Sequence, residues 1–326
     1  MTSTVGSAPA RHAAPPPPPA PPDKRSYRLG RWDIKYSPYL YVAPFFLLFG
    51  AFGLFPVIYT VYVSLFDYDL LADTKKWVGF ENYAFVLGDA QFWNAVYNTF
   101  GIFVVSTVPQ IVLALMIANL LNRQMRARTM LRMGILIPNI TSVAAVGIIF
   151  GMIFADRYGL MNWLLGGIGL DPMSWRDSKT ASWTAIAAMV DWRWTGYNAL
   201  IFLGAMQAIP KDLYESASLD GASVWRQFWK ITVPLIRPTL LFVIIISTIG
   251  GMQLFTEPLM FGYGLPRGGS DREFQTLAMY IYERTFTNNY EYGVGAAMSW
   301  LLFLLILIFA LINFALVRRS VKGDTK

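Results

Sequence analysis

Cysteine is absent from the 326 residues, and histidine occurs once, at position 12 inside a proline-rich stretch. Without thiols there is no disulfide framework and no thiolate metal site, and one isolated imidazole assembles nothing, so zinc, haem and iron–sulfur readings fall away. Charge is scarce too, at 14% of residues against roughly 25% in average soluble chains. No Gly-Lys pair occurs anywhere, so the chain has no loop of the kind that cradles nucleotide phosphates. A Gly-x-Ser-x-Gly elbow is missing as well, as is any histidine-based acid–base pair, and a membrane enzyme would need some such constellation. What fills the chain instead is apolar: 55% hydrophobic and 16% aromatic residues, with a mean hydropathy of +0.42. An ordinary soluble enzyme is excluded, and composition points to a polytopic membrane protein.

Because a charge at the bilayer centre costs several kcal/mol and about 20 apolar residues cross the hydrocarbon, windows without Asp, Glu, Lys or Arg mark the spans. Five are plain, at residues 36–66, 90–122, 133–155, 238–256 and 292–317. A sixth, 194–210, follows an apolar stretch at 180–190 and is separated from it only by Asp191 and Arg193 among charged residues. The glycine-rich run 158–170 is too short to cross and reads as an interfacial loop. The expected architecture is an all-α, six-span protein with both termini on one side.

Basic residues are retained on the cytoplasmic side of membranes. With both termini inside, and Asp191, Arg193 and Glu257 left with the spans, 18 Lys and Arg fall on that side and 8 outside, while Asp and Glu divide 6 inside and 12 outside. Both termini are therefore expected in the cytoplasm, and the formal +7 charge describes a basic rim facing anionic lipid. It does not describe a nucleic-acid site. Residues 1–35 read as a disordered proline-rich tail that cannot make a signal-peptide core, residues 36–318 as the membrane domain, and 319–326 as a short cytoplasmic tail. No fixed-period internal repeat is present, which weakens an inverted-repeat transporter reading.

The segment 210–237, between the fourth and fifth spans, carries legible local signals. Pro210 suits a first helical position, Asp212 complements the helix dipole, and Gly221 supplies the left-handed residue that ends a helix. Ser223 can cap a second helix whose Trp225, Phe228 and Trp229 form one apolar stripe until Pro234 stops it. Around the lone carboxylate Glu215 stand the small residues Ser216, Ala217, Ser218 and Ala222, so another protein's groove can close over this helix. On these signals alone the segment is either such a docking surface or an amphipathic connector.

The run from Tyr214 through Glu215, Ser216, Ala217, Asp220 and Gly221 to Ala222, followed by Ile231-Thr-Val-Pro234, resembles the EAA loop of permease subunits of binding-protein-dependent ABC sugar importers. Val78-Gly-Phe-Glu-Asn-Tyr83, Asn98-Thr99, Leu136-Ile-Pro138 and Gly268-Gly269 are similar to the same family, which extends the resemblance over most of the chain. Ser216 departs from the usual middle alanine of the loop, and Ser270 from the proline that commonly follows the glycine pair. The resemblance implies a six-span type I permease in the cytoplasmic membrane, paired with a second, homologous permease. Two cytoplasmic ABC ATPases would dock on Tyr214, Glu215, Ser216, Ala217, Asp220, Gly221 and Ala222, and an extracellular substrate-binding lipoprotein would deliver a sugar. ATP and magnesium would be bound by the partner ATPase, leaving this chain with no cofactor, no catalytic residue and no enzymatic activity of its own.

Polar side chains within spans are expensive unless they face a cavity or partner. Trp194, Tyr197 and Asn198 in the fourth span, Ser247, Gly251 and Gln253 in the fifth, and Glu257 just beyond it are the candidate substrate pathway. Neutral hydrogen-bonding groups beside aromatic faces suit sugar hydroxyls and C–H faces, although Trp192, Trp194 and Tyr197 equally fit an interfacial aromatic belt. Asp191 and Arg193, two apart, do not share a helix face and are expected to snorkel or pair with other segments; Glu257 is expected to reach outer water or touch substrate. The runs 250–261, 272–282 and 292–300 resemble permeases for β-glucosides and cello-oligosaccharides. A secondary, ion-coupled transporter of small polar solutes is the rival reading, and it predicts acidic residues deep in the spans, where this chain has almost none.

Overall fold

A computed structural model describes residues 24–69, 74–123, 128–288 and 290–323; the polyproline run of the tail and its single histidine lie outside them. The chain divides into two compact units, up to Tyr59 and from Thr60 onward. In the first unit α1 (Lys24–Phe49) passes through a π-helical turn, Gly50–Leu54, into the start of α2 (Phe55–Ser64). The stretch Ile34–Ser64 is one apolar run long enough to cross a membrane, two residues offset from the charge-free window, and its large apolar side chains are exposed.

The second unit opens with an antiparallel hairpin, β1 (Phe66–Asp69) and β2 (Thr74–Trp77), registered Phe66 to Trp77. Then come α3 (Glu81–Gly88) and α4 (Ala90–Asn122). Asp89 starts α4 by accepting a 2.9 Å bond from the Gln91 amide, the cap expected of a short acid before an apolar run. The third window is not one rod. It divides into α5 (Arg128–Gly134), α6 (Ile137–Ile140) and α7 (Val143–Ile153), with an 88° bend where Thr141 and Ser142 take extended backbone conformations. Pro138, which lacks an amide donor and disfavours helix before it, opens the short middle piece. The 158–170 run, expected as a loop, contains a short helix, α8 (Leu160–Gly167).

The 180–190 and 194–210 stretches merge in α9, a continuous helix Lys179–Gln207 of ~44 Å at 1.5 Å per residue. Length suffices to cross, but Asp191, Arg193 and its other polar residues leave it less apolar than the remaining spans. Among the described residues three helices are long and apolar enough to cross, or five if each bent pair is one span; α9 would be the sixth.

After α9 come α10 (Lys211–Leu219), α11 (Val224–Gln227), a π-helical turn Phe228–Thr232, α12 (Val233–Leu235) and α13 (Arg237–Met252). Next follow α14 (Thr256–Phe261), α15 (Leu277–Tyr282), a π-helical stretch Glu283–Asn288, and α16 (Tyr292–Gly323). The fifth window thus ends early, at Met252, and its last residue begins a separate short helix.

α4 and α9 form the centre of the unit and touch along most of their lengths. Small residues make this approach possible: Ala114 and Ala118 on one helix and Ala185 and Ala199 on the other are fully buried. At Gly101 a Cβ would collide with the Trp183 ring. Close packing of small residues is the usual glue between membrane helices. In the Asp89 half of α4, a polar knot joins distant segments. Asn98 donates to the Arg272 and Gln275 carbonyls at 2.9 and 3.1 Å, and the Thr99 hydroxyl accepts from the Leu277 amide at 2.8 Å. Arg272 pairs with Glu283 at 2.6 Å. Asn82, from the Val78–Tyr83 motif, holds the Ser64 and Phe66 carbonyls, each at 2.9 Å. In the same region Tyr280 donates to Asp89; burial, reinforced by that bond, holds its phenol protonated well above its usual range.

Candidate functional site

Helix α13 breaks at Gln253, and the chain stays non-helical until α14 begins at Thr256. A broken helix frees carbonyls that must find donors. One of them, Leu254 O, accepts a 2.7 Å bond from the Thr276 hydroxyl. The break opens a cavity of about 240 Å³ between α4, α9, α13 and α14. All seven residues expected on the pathway line it: Trp194, Tyr197 and Asn198 from α9, Ser247 and Gly251 from α13, Gln253 from the break and Glu257 from α14. Trp194 and Tyr197 stand edge to face, their centroids 5.9 Å apart, and both remain partly open. Trp192 is elsewhere, with its ring against Phe150.

Three polar lining residues escaped the sequence reading, Thr107 and Gln110 of α4 and Thr256 at the start of α14. Gln110 Oε1 accepts from Asn198 Nδ2 at 2.9 Å, and both side chains are buried. The signal was available: these are polar residues within an uncharged span, the same criterion that selected Asn198.

Glu257 does not reach open water, as its place beyond the fifth window suggested. Its side chain is 8% exposed and forms an ion pair with Arg193, itself 13% exposed. Helix α9 aims the guanidinium toward α14, so Arg193 pairs with another segment, one of the two outcomes expected of it.

In the second candidate site, α10 starts after Pro210, which occupies the capping position itself rather than the first helical one. Asp220 and Gly221 end it, Gly221 at φ +75°, where glycine avoids the Cβ clash. The Ala222 amide closes the turn on the Ala217 carbonyl at 2.9 Å. Ser223 caps α11 by accepting from the Arg226 amide. Pro234 does not stop the second helix. The π-helical register over Phe228–Thr232 shifts the backbone just ahead of it, so the missing amide is tolerated. The helix turns instead at Ile236, with a 71° bend into α13.

Glu215, Ser216, Asp220 and Gly221 are exposed, whereas Tyr214, Ala217 and Ala222 are half-buried. Underneath, Tyr214 and Thr232 hydroxyls meet at 2.8 Å, and Gln227 Nε2 donates to Ser218 Oγ at 2.9 Å. Phe228 and Ile236 belong to the same buried cluster as Ala118 and Leu121 of α4 and Phe202 and Met206 of α9. The stripe therefore splits, with Phe228 in the core and Trp225 and Trp229 exposed. An exposed helix with a carboxylate and small side chains is thus keyed into the helices that wall the cavity.

Residues 110–322 match the family model described as "Binding-protein-dependent transport system inner membrane component". The chain belongs to this family. It is an ABC importer permease, a transport component of the inner membrane and not an enzyme, and the resemblance drawn from the 214–222 loop is borne out. The permease is 34% identical over 292 residues to the arabinooligosaccharides permease AraP of Bacillus subtilis, covering 89% of this chain and 91% of that protein. To the lactose permease LacF of Rhizobium radiobacter it is 33% identical over 298 residues, covering 90% and 96%. Its fold matches a bacterial ABC transporter involved in import of the acidic polysaccharide alginate, with a TM-score of 0.71 at 21% identity, over 91% of this chain and 99% of that one.

Proposed function

We propose that this permease moves a di- or oligosaccharide across the cytoplasmic membrane by alternating access, through the cavity between α4, α9, α13 and α14. The observation that carries this reading is the convergence on one cavity of aromatic faces and neutral hydrogen-bonding groups, Trp194 and Tyr197 beside Asn198, Ser247 and Gln253. Sugar hydroxyls pair with the amides and hydroxyl, and the sugar's apolar face stacks on the rings. At about 240 Å³ the cavity lies just under the usual ligand-pocket range of roughly 300–1,000 Å³, as expected of one wall of a path that a second, homologous permease completes.

Two ATPases, carrying the ATP and magnesium, dock on the Tyr214–Ala222 surface, and the small residues there admit a close-fitting groove. Closure of the ATPases pushes α10; Phe228 and Ile236 pass the displacement into the α4–α9 core. An extracellular binding lipoprotein delivers the sugar, with β-glucosides and cello-oligosaccharides the first class to try.

Reconstitution tests the reading. Proteoliposomes holding this chain with its partner permease and ATPases should take up sugar only with ATP inside and binding protein outside. Solute movement by this chain alone on an ion gradient would instead establish a secondary transporter.

A further inference from the structure

Sugar importers of this fold serve both neutral and acidic cargo, as the arabinooligosaccharide, lactose and alginate systems illustrate. Which class a permease admits depends on the fixed charge facing its cavity. Among the described residues that line it, one is charged, Glu257, and Arg193 stands against it in an ion pair with both side chains largely buried. The remaining polar lining groups, Thr107, Gln110, Tyr197, Asn198, Ser247, Gln253 and Thr256, are uncharged. Arg193 is not itself part of the lining; Glu257 engages one end of its guanidinium, and its Nε has no hydrogen-bond partner among the described residues. Asp191, the other acidic residue of that turn, does not line the cavity.

From this we infer that this chain's wall of the cavity is built for uncharged sugars and that the Arg193–Glu257 pair sets that preference, Glu257 neutralising the cationic group an acidic sugar would otherwise meet there. The inference rests on the sugar pathway proposed above and narrows it. A carboxylate entering the cavity would meet a wall without net positive charge and leave its own hydration unreplaced, which is costly in a low-dielectric site. Glu257→Gln keeps the shape and removes the neutralising charge, turning Arg193 into an anion receptor. One unbalanced charge about 6 Å from a bound carboxylate, at an effective dielectric near 20, corresponds to about a hundredfold in affinity.

Equilibrium binding to the complete membrane complex tests this, with the binding protein left out because it makes its own selection. The probes are cellobiose and lactose, each beside the uronate in which one CH2OH is replaced by a carboxylate. Wild-type complex should favour the neutral member of a pair at least tenfold. Glu257→Gln should shift the ratio about a hundredfold toward the uronate, Arg193→Gln should shift it the opposite way, and the double substitution should return it near wild type. A wild-type preference for the uronates, or an unchanged ratio in Glu257→Gln, overturns the inference. Should a single substitution prevent assembly, the double one must still favour the neutral sugar, and equal binding of both members there counts against it. If wild type binds no member of either pair, this inference falls, while the proteoliposome uptake assay decides the sugar reading separately.

Discussion

Removing the Tyr214 hydroxyl isolates the step between docking and transport. Its partner, the Thr232 hydroxyl, lies 2.8 Å away and belongs to a residue only 3% exposed, 18 positions along the chain. Tyr214→Phe leaves Thr232 buried without this bond. Such an orphan costs about 1–2 kcal/mol, a factor of about 5–30 in the equilibrium between α10 held and α10 released. Thr232→Val removes the other partner, and the double variant should cost no more than either single one, so a coupling energy of about 1 kcal/mol is expected. Two assays read it in the complex: amide exchange over residues 211–222, which should speed up about 5–30-fold in Tyr214→Phe, and sugar delivered per ATP hydrolysed, which should fall. If exchange and transport stoichiometry are both unchanged, the bond transmits nothing and the path from Glu215 to the core runs elsewhere.

Glu215→Lys, on the exposed face of α10, should leave the permease in the membrane but separate ATP hydrolysis from uptake; normal sugar-stimulated hydrolysis and uptake would refute docking at this residue. Tyr197→Ala and Gln253→Ala should each lower sugar uptake several-fold while the subunits still co-purify, and unchanged uptake kinetics in both would remove them from the pathway. At Gly196 a Cβ would lie closer than 3.0 Å to the Ile135 carbonyl oxygen, so Gly196→Ala must push α9 away from the 129–140 segment. That overpacking should cost about 1–3 kcal/mol, seen as a lower melting temperature of the detergent-solubilised complex, and wild-type melting would count against the contact.

Charge-free windows and helix signals are local, and where the physics is local the chain was readable. The 90–122 window and α4 coincide, because Asp89 and Arg123 bound the run at both ends. Gly221 and Ser223 likewise mark turn and cap through their own backbone preferences. Breaks were harder to see. The bend at Thr141–Ser142 and the interruption at Gln253–Phe255 lie inside uninterrupted apolar stretches, and their stability depends on groups far away, such as the Thr276 hydroxyl on Leu254 O. Pro234 misled for the converse reason: a π-helical turn beside it absorbs a residue that ordinarily ends a helix.

Alone, then, the amino-acid order established an all-α membrane chain, the stretches able to cross, and the helical turn between the fourth and fifth of them. Each of these follows from hydration cost or backbone conformation within a few neighbouring residues. Only the tertiary structure decided that Gln110 meets Asn198 and that the seven candidate pathway positions face one cavity. It alone joined Glu257 to Arg193, 64 positions away. Such partnerships are set by which helices pack together, a property of the whole assembly of spans that no single stretch encodes.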